Sequence, residues 1–577
     1  MSAQRPILNR RSPRPGFESD LADIDPLLAR LYATRGVTTS MELDYGLGKL
    51  APVGSLDGIA AAVELLLRCI DKRIVVIGDF DVDGATSTAL MLRCLRAFGF
   101  LEVEYLVPNR FEFGYGLTPE IVRVALQSSP ELIVTVDNGV SSIAGVAEAR
   151  SAGVDVLVTD HHLPGDELPA ANVIVNPNLD GSQFASRNLA GVGVAFYVLA
   201  ALGRELEQQG QAGAAKIPAQ YLDLVALGTV ADVVPLDHNN RILVQQGLNR
   251  IRAGKTVAGI RALLTQSGRQ LSRIVSTDLG FIAGPRINAA GRLEDMATGI
   301  ECLLTDDRSV ADQHAAQLDE INRDRREIES TMREQAFAYV NSLDAKKWPS
   351  CVCVYEENWH LGVVGLIAAR VKDRCHRPVI AFAKEAENFL KGSARSIPGV
   401  HVRDLLDAVS SSHPGLIVKF GGHAMAAGLT IGDSDYARFA DAAHEQLDRL
   451  YPDADFSGAI ISDGALDSAS IDRWGGLLQT ARGLRDAGPW GSAFPEPTWH
   501  GDFELLEQRT VGENHLKMRL RPTDGGGPID AIAFNQAGPA YRGIVQLAYR
   551  LDVNEWRGVE SPQLIVEQIA ALQPGGA

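Results

Sequence analysis

Short runs of β-branched and aliphatic residues recur along the chain from Arg73: "RIVVIGD", "VEYLVPN", "LIVTVDNG", "DVLVTDHH" and "NVIVNPN". Between them lie stretches such as "TSTALMLRCLRAF" and "GVAEARSAG", whose apolar residues fall at helical spacing. Continuous apolar strands alternating with helices predict a parallel sheet covered on both faces. Each run ends in polar residues, and the carboxyl edge of such a sheet is where ligands bind.

The pattern then changes twice. Ala311, His314, Leu318, Ile321, Ile328 and Met332 recur near helical spacing amid dense charge and without proline or glycine, which predicts a long, exposed connecting helix. A second set of α/β signals, "SCVCVYEE", "GVVGLIAARVKDR" and "RPVIAFA", leads into the glycine-rich "KFGGHAMAAGLTI". Beyond it, "HLKMRLRP" and "IVQLAYRLDVNEW" alternate apolar with polar residues, and "TDGGGP" and "NEWRG" supply turns, so a small β-barrel or sandwich is expected. The chain divides into an N-terminal segment (residues 1–40), an α/β domain (41–305), a connecting helix (306–345), a smaller α/β domain (346–454) and a β domain (455–577).

At 577 residues the chain exceeds one compact core, and 46% hydrophobic with 22% charged residues is an ordinary globular composition. Six cysteines lack metal-ligand or disulfide spacing and read as buried thiols in a reducing compartment. The N-terminus, "MSAQRPILNRRSPRPG", is basic with no apolar stretch after it, and no segment approaches the length of a membrane span. A cytoplasmic protein without membrane association is expected. The net charge of −17 opposes a polyanionic partner on average, yet basic groups gathered along one groove overcome an average. On the predicted strand "HLKMRLRP", Lys517, Arg519 and Arg521 share one face. That face is either a solvated one or a track for single-stranded nucleic acid, which small barrels hold in this way.

The densest chemistry is "DFDVDG", which sets Asp79, Asp81 and Asp83 two apart at the end of a buried strand. A calcium loop of the EF-hand type needs glutamate at its twelfth position, where Leu90 stands. A helix N-cap accounts for one aspartate, not three. Further acids and imidazoles end other segments: Asp137 in "TVDNG", Asp160, His161 and His162 in "VTDHH", and Asp232 in "GTVADVVP". Four segments thus converge on one sheet edge. Carboxylates gathered there repel one another unless cations compensate them, and oxygen with imidazole ligands suits manganese- or magnesium-like ions. Two such ions clamp the attacking and leaving oxygens of a phosphoryl displacement.

The set "DFDVDG", "VDNG", "DHH" and "GTVADVVP", followed by "FGGHAMAAG", resembles the DHH phosphoesterase superfamily. With "VPNRFEFGYGL", "LAGVGVAFY", "GPRINAAGR" and "KGSARSI", it is similar to that superfamily's single-stranded-DNA exonucleases, which work from the 5′ end. The resemblance implies a parallel-sheet DHH domain, a long helix, a DHHA1-type α/β domain and an OB-like barrel. It implies two divalent ions, Mn2+ or Mg2+, on Asp81, Asp83, Asp137, His161 and Asp232, with Asp137 bridging. Asp79 is added to that set, although several relatives carry a histidine there at another spacing. Asp160 would orient its neighbour, and His162 would contact the scissile phosphate.

Further roles are implied by the same resemblance. Arg110, Ser393, Arg395 and the "GGH" of Gly421, Gly422 and His423 would surround the terminal 5′-phosphate, Tyr115 would stack on a base, and Arg286 would guide the strand. Lys517, Arg519 and Arg521 become the DNA track. The expected activity is two-metal 5′→3′ hydrolysis of single-stranded DNA in recombination and repair, by a monomer with a single-strand-binding protein and a helicase as partners. A small-substrate phosphodiesterase of the same superfamily would have no need of the C-terminal barrel, and a metal-dead DNA-binding scaffold would require broken ligands.

Overall fold

The computed structural model describes residues 8–13, 16, 19–108, 116–343, 348–512, 514–538 and 540–571. The chain forms two compact units, Met1–Asp319 together with Ile460–Ala577, and Glu320–Ala459. The C-terminal domain therefore belongs to the same unit as the first α/β domain.

An N-terminal strand, β1 (Leu8–Arg10), precedes the central sheet of the first unit, whose strands are β2 (Ile74–Ile77), β3 (Val103–Leu106), β4 (Leu132–Val136), β5 (Asp155–Thr159) and β6 (Val173–Val175). They are parallel throughout, in the order β3-β2-β4-β5-β6. Ile74 and Val76, with Leu132 and Val134, join one apolar cluster, while Val75 and Ile77, with Ile133, join another on the opposite face. Burial on both faces is why these strands read as unbroken apolar runs. The chain runs outward from β2 to β3 and then returns to lay β4 on the other side of β2. That reversal opens a crevice at the carboxyl ends of β2 and β4, the usual ligand position in such sheets.

The helix Arg308–Ser342 runs for 35 residues from one unit into the other. It is not the exposed rod its charge predicts: Ala311, Ala315 and Leu318 are buried in the core of the first unit, and Met332, Ala336 and Val340 are buried farther along. An apolar stripe on a charged helix needs a partner to cover it. The second unit contains β7 (Val352–Tyr355), β8 (Val379–Ala386), β9 (Phe389–Arg395), β10 (Lys419–Gly422) and β11 (Ala426–Gly432), in the order β10-β11-β9-β8-β7. Only β7 and β8 run parallel; the other pairs are antiparallel.

Back in the first unit, β12 (Ile460–Ser462) pairs in parallel with β1. A closed barrel follows, of β13 (Trp499–Val511), β14 (His515–Pro522), β15 (Ile529–Ala533), β16 (Ile544–Trp556) and β17 (Val559–Ala571). The helix Pro26–Ala33 mortars barrel to sheet domain: Leu27 and Leu31 enter the barrel core, while Tyr32 enters the sheet-domain core with Trp490 and Phe494. Arg35, just beyond it, donates to both oxygens of buried Asp463 at 2.9 and 3.0 Å and lies over the Trp490 ring. All six cysteines are free and buried. Among the described residues no single helix is long and apolar enough to cross a membrane.

Candidate metal centre

Three of the four acidic segments leave strand ends around the crevice. Asp79, Asp81 and Asp83 follow β2, Asp137 follows β4, and Asp160, His161 and His162 follow β5. Asp232 arrives differently: it caps the carboxyl end of the helix Leu222–Ala231, so the fourth segment meets the sheet edge as a helix terminus and not as a strand end.

Asp81 caps the helix Val82–Phe98 through a 3.0 Å bond from Gly84 N–H, and Asn288 Oδ1 accepts from Val82 N–H at 3.2 Å. Asp83 is fully buried and accepts from Gly191 N–H at 2.6 Å and Val192 N–H at 2.9 Å, the first amides of the helix Gly191–Gln208. Asp137 sits in the left-handed region, with φ 62°. Non-glycine residues are uncommon there and concentrate at functional sites.

Nε2 of His161 lies 3.1 Å from Asp137 Oδ1 and 3.5 Å from Asp232 Oδ2. Ligand atoms of Asp83, His161 and Asp232 lie within 4.8 Å of one another, as do those of Asp79, Asp81 and Asp137, and those of Asp137, His161 and His162. Asp137 belongs to two of these groups, and its neighbour His161 joins the third to them. Its Oδ1 and Asp232 Oδ2 are buried and accept no hydrogen bond among the described residues. Burial, then the Asp232 and Asp81 carboxylates, push Asp83 well above the usual range, and burial with Asp83 and Asp81 does the same to Asp137. Asp232 is pushed up to about 7, by burial and by Asp81. Buried carboxylates that repel one another, two of them with unbonded oxygens, fit divalent cations, which remove the repulsion by neutralising it. Oxygen and imidazole donors without thiolate suit Mn2+ or Mg2+.

Nδ1 of His162 lies 2.7 Å from Asp160 Oδ1, which also accepts from the His161 and His162 amides. Burial opposes charge on His162, but the Asp160 bond outweighs it and raises the imidazole to about 9. Sequence reasoning missed the support of this loop: Asn176 donates to the His162 carbonyl at 2.8 Å and Asn178 to that of His161 at 2.6 Å. The signal was "NPN", two amides directly after a strand. It also missed Gly191, within "LAGVGVAFY", whose amide binds Asp83.

Arg286 lies on the helix Gly284–Leu293 beside Asn288, with its guanidinium held by Asp319 at 2.7 Å. Arg110 and Tyr115 lie outside the described residues. In the second unit, β11 pairs Ala426 with Arg395 and Gly428 with Ser393 on one side, and Ala427 with Gly422 and Gly428 with Gly421 on the other. Arg395 and the "GGH" edge are thereby brought to one end of one sheet, and His423 N–H closes the hairpin on Ala426 O at 2.8 Å. Arg395 donates to Ser393 Oγ at 3.1 Å and to Ala394 O at 2.8 Å. Burial alone pulls its pKa down, and among the described residues no carboxylate pairs with it. On the barrel, Lys517, Arg519 and Arg521 point outward from β14 while Leu516, Met518 and Leu520 are buried. The face is not uniformly basic: Lys517 lies 3.5 Å from Asp530, Arg521 lies 3.0 Å from Glu504, and Arg519 stands opposite Glu507.

The chain matches the DHH family N-terminal domain over residues 73–229, the DHHA1 domain over 349–449 and the RecJ OB domain over 465–568. It is 52% identical to the single-stranded-DNA-specific exonuclease RecJ of Dickeya dadantii, over 97% of this chain and 98% of that one. To its Escherichia coli counterpart it is 49% identical, over 95% and 96%. A crystal structure of RecJ from Thermus thermophilus in complex with Mn2+ superposes with a TM-score of 0.80 at 28% identity, covering 98% of this chain and 79% of that one. Fold and site together define a DHH phosphoesterase with an OB barrel. Within that class, the chain belongs to the RecJ exonuclease family.

Proposed function

We propose that this chain is a metal-dependent exonuclease that removes nucleotides from the 5′ end of single-stranded DNA, in recombination and repair. The reading is carried by the acid and histidine groups joined through Asp137 and His161, in a chain about half identical along nearly its whole length to single-stranded-DNA-specific exonucleases. Asp79, Asp81, Asp83, Asp137, His161 and Asp232 would hold two divalent ions, Mn2+ or Mg2+. Ions held there would supply neutralisation of the phosphodiester charge and a water nucleophile near neutral pH.

The protein's own groups do the rest. His162, kept cationic by Asp160, would use its other ring nitrogen to donate to the scissile phosphate as charge builds on it. A half-buried guanidinium without a carboxylate partner favours an anionic ligand, so Arg395, with Ser393, Gly421, Gly422 and His423, would take the terminal 5′-phosphate. A grip on a chain end makes a nuclease count from that end. Arg110 would join this grip, Tyr115 would stack on a base, and Arg286 would guide the strand once released from Asp319. Lys517, Arg519 and Arg521 would hold the strand farther along.

Such an enzyme needs strands already parted, which a helicase and a single-strand-binding protein supply, and it would work in the cytoplasm as a monomer. The test is incubation with Mn2+ and 5′-labelled DNA, single-stranded or duplex. A labelled mononucleotide as first product, from single strands only, is expected. Labelled fragments of intermediate length, or equal cutting of duplex, would refute it.

A further inference from the structure

The basic N-terminal stretch has no part in this chemistry. Pairing of β1 with β12 delivers Arg10 and Arg11 to a recess of about 250 Å³, which Arg30 of the helix Pro26–Ala33 also lines beside Asp463. Among the described residues that line it, three arginines face one carboxylate, Asp463. Asp463 is committed to Arg35 through both oxygens, and its Oδ2 also accepts from Thr498 N–H at 3.0 Å. Arg11 Nε reaches Asp463 Oδ1 only at 3.4 Å. Burial, with Arg35 alongside, works against the Arg11 charge, and Asp463 does not fully offset it.

Arg30 is the more telling residue. Among the described residues its Nε and Nη2 are buried without a hydrogen-bond partner, and its guanidinium lies 5.9 Å from the centre of the Trp499 ring, at the first residue of the barrel. Asp467, which also feels Arg30, is engaged in capping the helix Ser468–Arg473 through Ser470. The Arg10 guanidinium lies over Gly464, where an added β-carbon would come within 3.6 Å of its Nε. Buried guanidinium donors left unbonded are costly, and several converging on a small recess match the many acceptor oxygens of one phosphate.

We propose that Arg10, Arg11 and Arg30 form a phosphate-binding recess that holds a backbone phosphodiester of the single strand where it passes the barrel. It uses no residue of the metal centre and none of the β14 face. The inference rests on the single-stranded-DNA reading above. A phosphodiester is favoured over a carboxylate-bearing peptide because three arginines on one small recess, Arg10, Arg11 and Arg30, match the several acceptor oxygens of a single phosphate.

The test uses two variants of the full chain, Arg10→Ala with Arg30→Ala, and separately Ser12→Glu, which adds a carboxylate at the exposed rim and removes no arginine. Affinity for a long single-stranded oligonucleotide is measured by fluorescence anisotropy in EDTA, where no cleavage occurs, across a salt series. Each variant should bind several-fold more weakly, with a salt slope shallower by roughly 0.7, the share of one phosphate on a single strand. Parental affinity and slope in both variants would overturn the recess, as would weaker binding at an unchanged slope. Should the double variant melt early, Ser12→Glu decides alone. The two readings fail separately: a parent that binds strands but does not cut them removes the exonuclease reading and leaves the recess, whereas a parent that cuts them with variants that bind as it does removes the recess alone.

Discussion

A β-carbon on Gly191 would stand 2.6 Å from Oδ1 of Asp137, closer than any side chain can be accommodated. The same glycine donates its amide to Asp83 at 2.6 Å, so the first turn of one helix sets the spacing between two acids of the centre. Gly191→Ala must push Asp137 away. It should cost about 1–3 kcal/mol, as overpacked cores do, and remove most Mn2+-dependent hydrolysis. Thermal melting and turnover on a single-stranded oligonucleotide check this, and an active variant of parental stability would show that the helix yields freely.

Asp137→Asn keeps the shape of the side chain and tolerates the left-handed backbone while deleting the charge. Because the parent site crowds carboxylates that repel one another, the variant in EDTA should melt no lower than the parent. Added Mn2+ should raise the melting temperature of the parent, by mass action on the folded state, and not that of the variant. Hydrolysis should vanish. Substantial cleavage by Asp137→Asn would remove it from the metal centre.

Arg395→Ala should weaken cleavage of 5′-phosphorylated strands far more than of 5′-hydroxyl strands, shrinking the preference between them. Removing a charge-assisted contact to an anion costs roughly 1.5–3 kcal/mol, about ten- to a hundredfold in kcat/KM. An equal loss on both substrates would move Arg395 from the end pocket to general backbone binding.

Arg35→Ala leaves the buried Asp463 carboxylate with the Thr498 amide and, as its cation, only the longer Arg11 contact, and it also empties the space against Trp490. Breaking a buried ion pair by removing one partner costs about 3–5 kcal/mol. Because this pair lies where the barrel segment meets the sheet domain, limited proteolysis should free the C-terminal region before the rest of the chain unfolds. Parental melting and digestion would show that the apolar contacts of Leu27, Leu31 and Tyr32 suffice.

Replacing Lys517, Arg519 and Arg521 by alanine should flatten the salt dependence of binding to a long strand, but by less than three independent contacts would. Each phosphate contact on a single strand contributes roughly 0.7 to the slope, and Asp530 and Glu504 already neutralise two of these cations. Anisotropy across a salt series should show a change nearer one contact than three. No change at all would make β14 an ordinary solvated face.

The sequence by itself determined the strands and helices of the sheet domain, because residues buried on both faces must be apolar in unbroken runs. It also determined the alternation of β14, where one face meets the barrel core and the other meets water. It marked Asp79, Asp81, Asp83, Asp137, His161 and His162 as residues of one sheet edge, since polar groups at strand ends have few other places to be. Tertiary structure alone decided the rest. The sequence names Asp232 for this edge too, but only packing brings it there on the end of the helix Leu222–Ala231, against His161, and only packing requires a glycine beside Asp137. The charge of the long helix predicted exposure, but Ala311, Ala315 and Leu318 are covered by a partner no local pattern names. The cross-strand acids beside Lys517 and Arg521, and the meeting of Arg10 and Arg11 with Arg30, are contacts between distant stretches of chain. Spacing along a sequence records which face a residue takes within its own element; which other element arrives to meet that face is settled by burial of the whole.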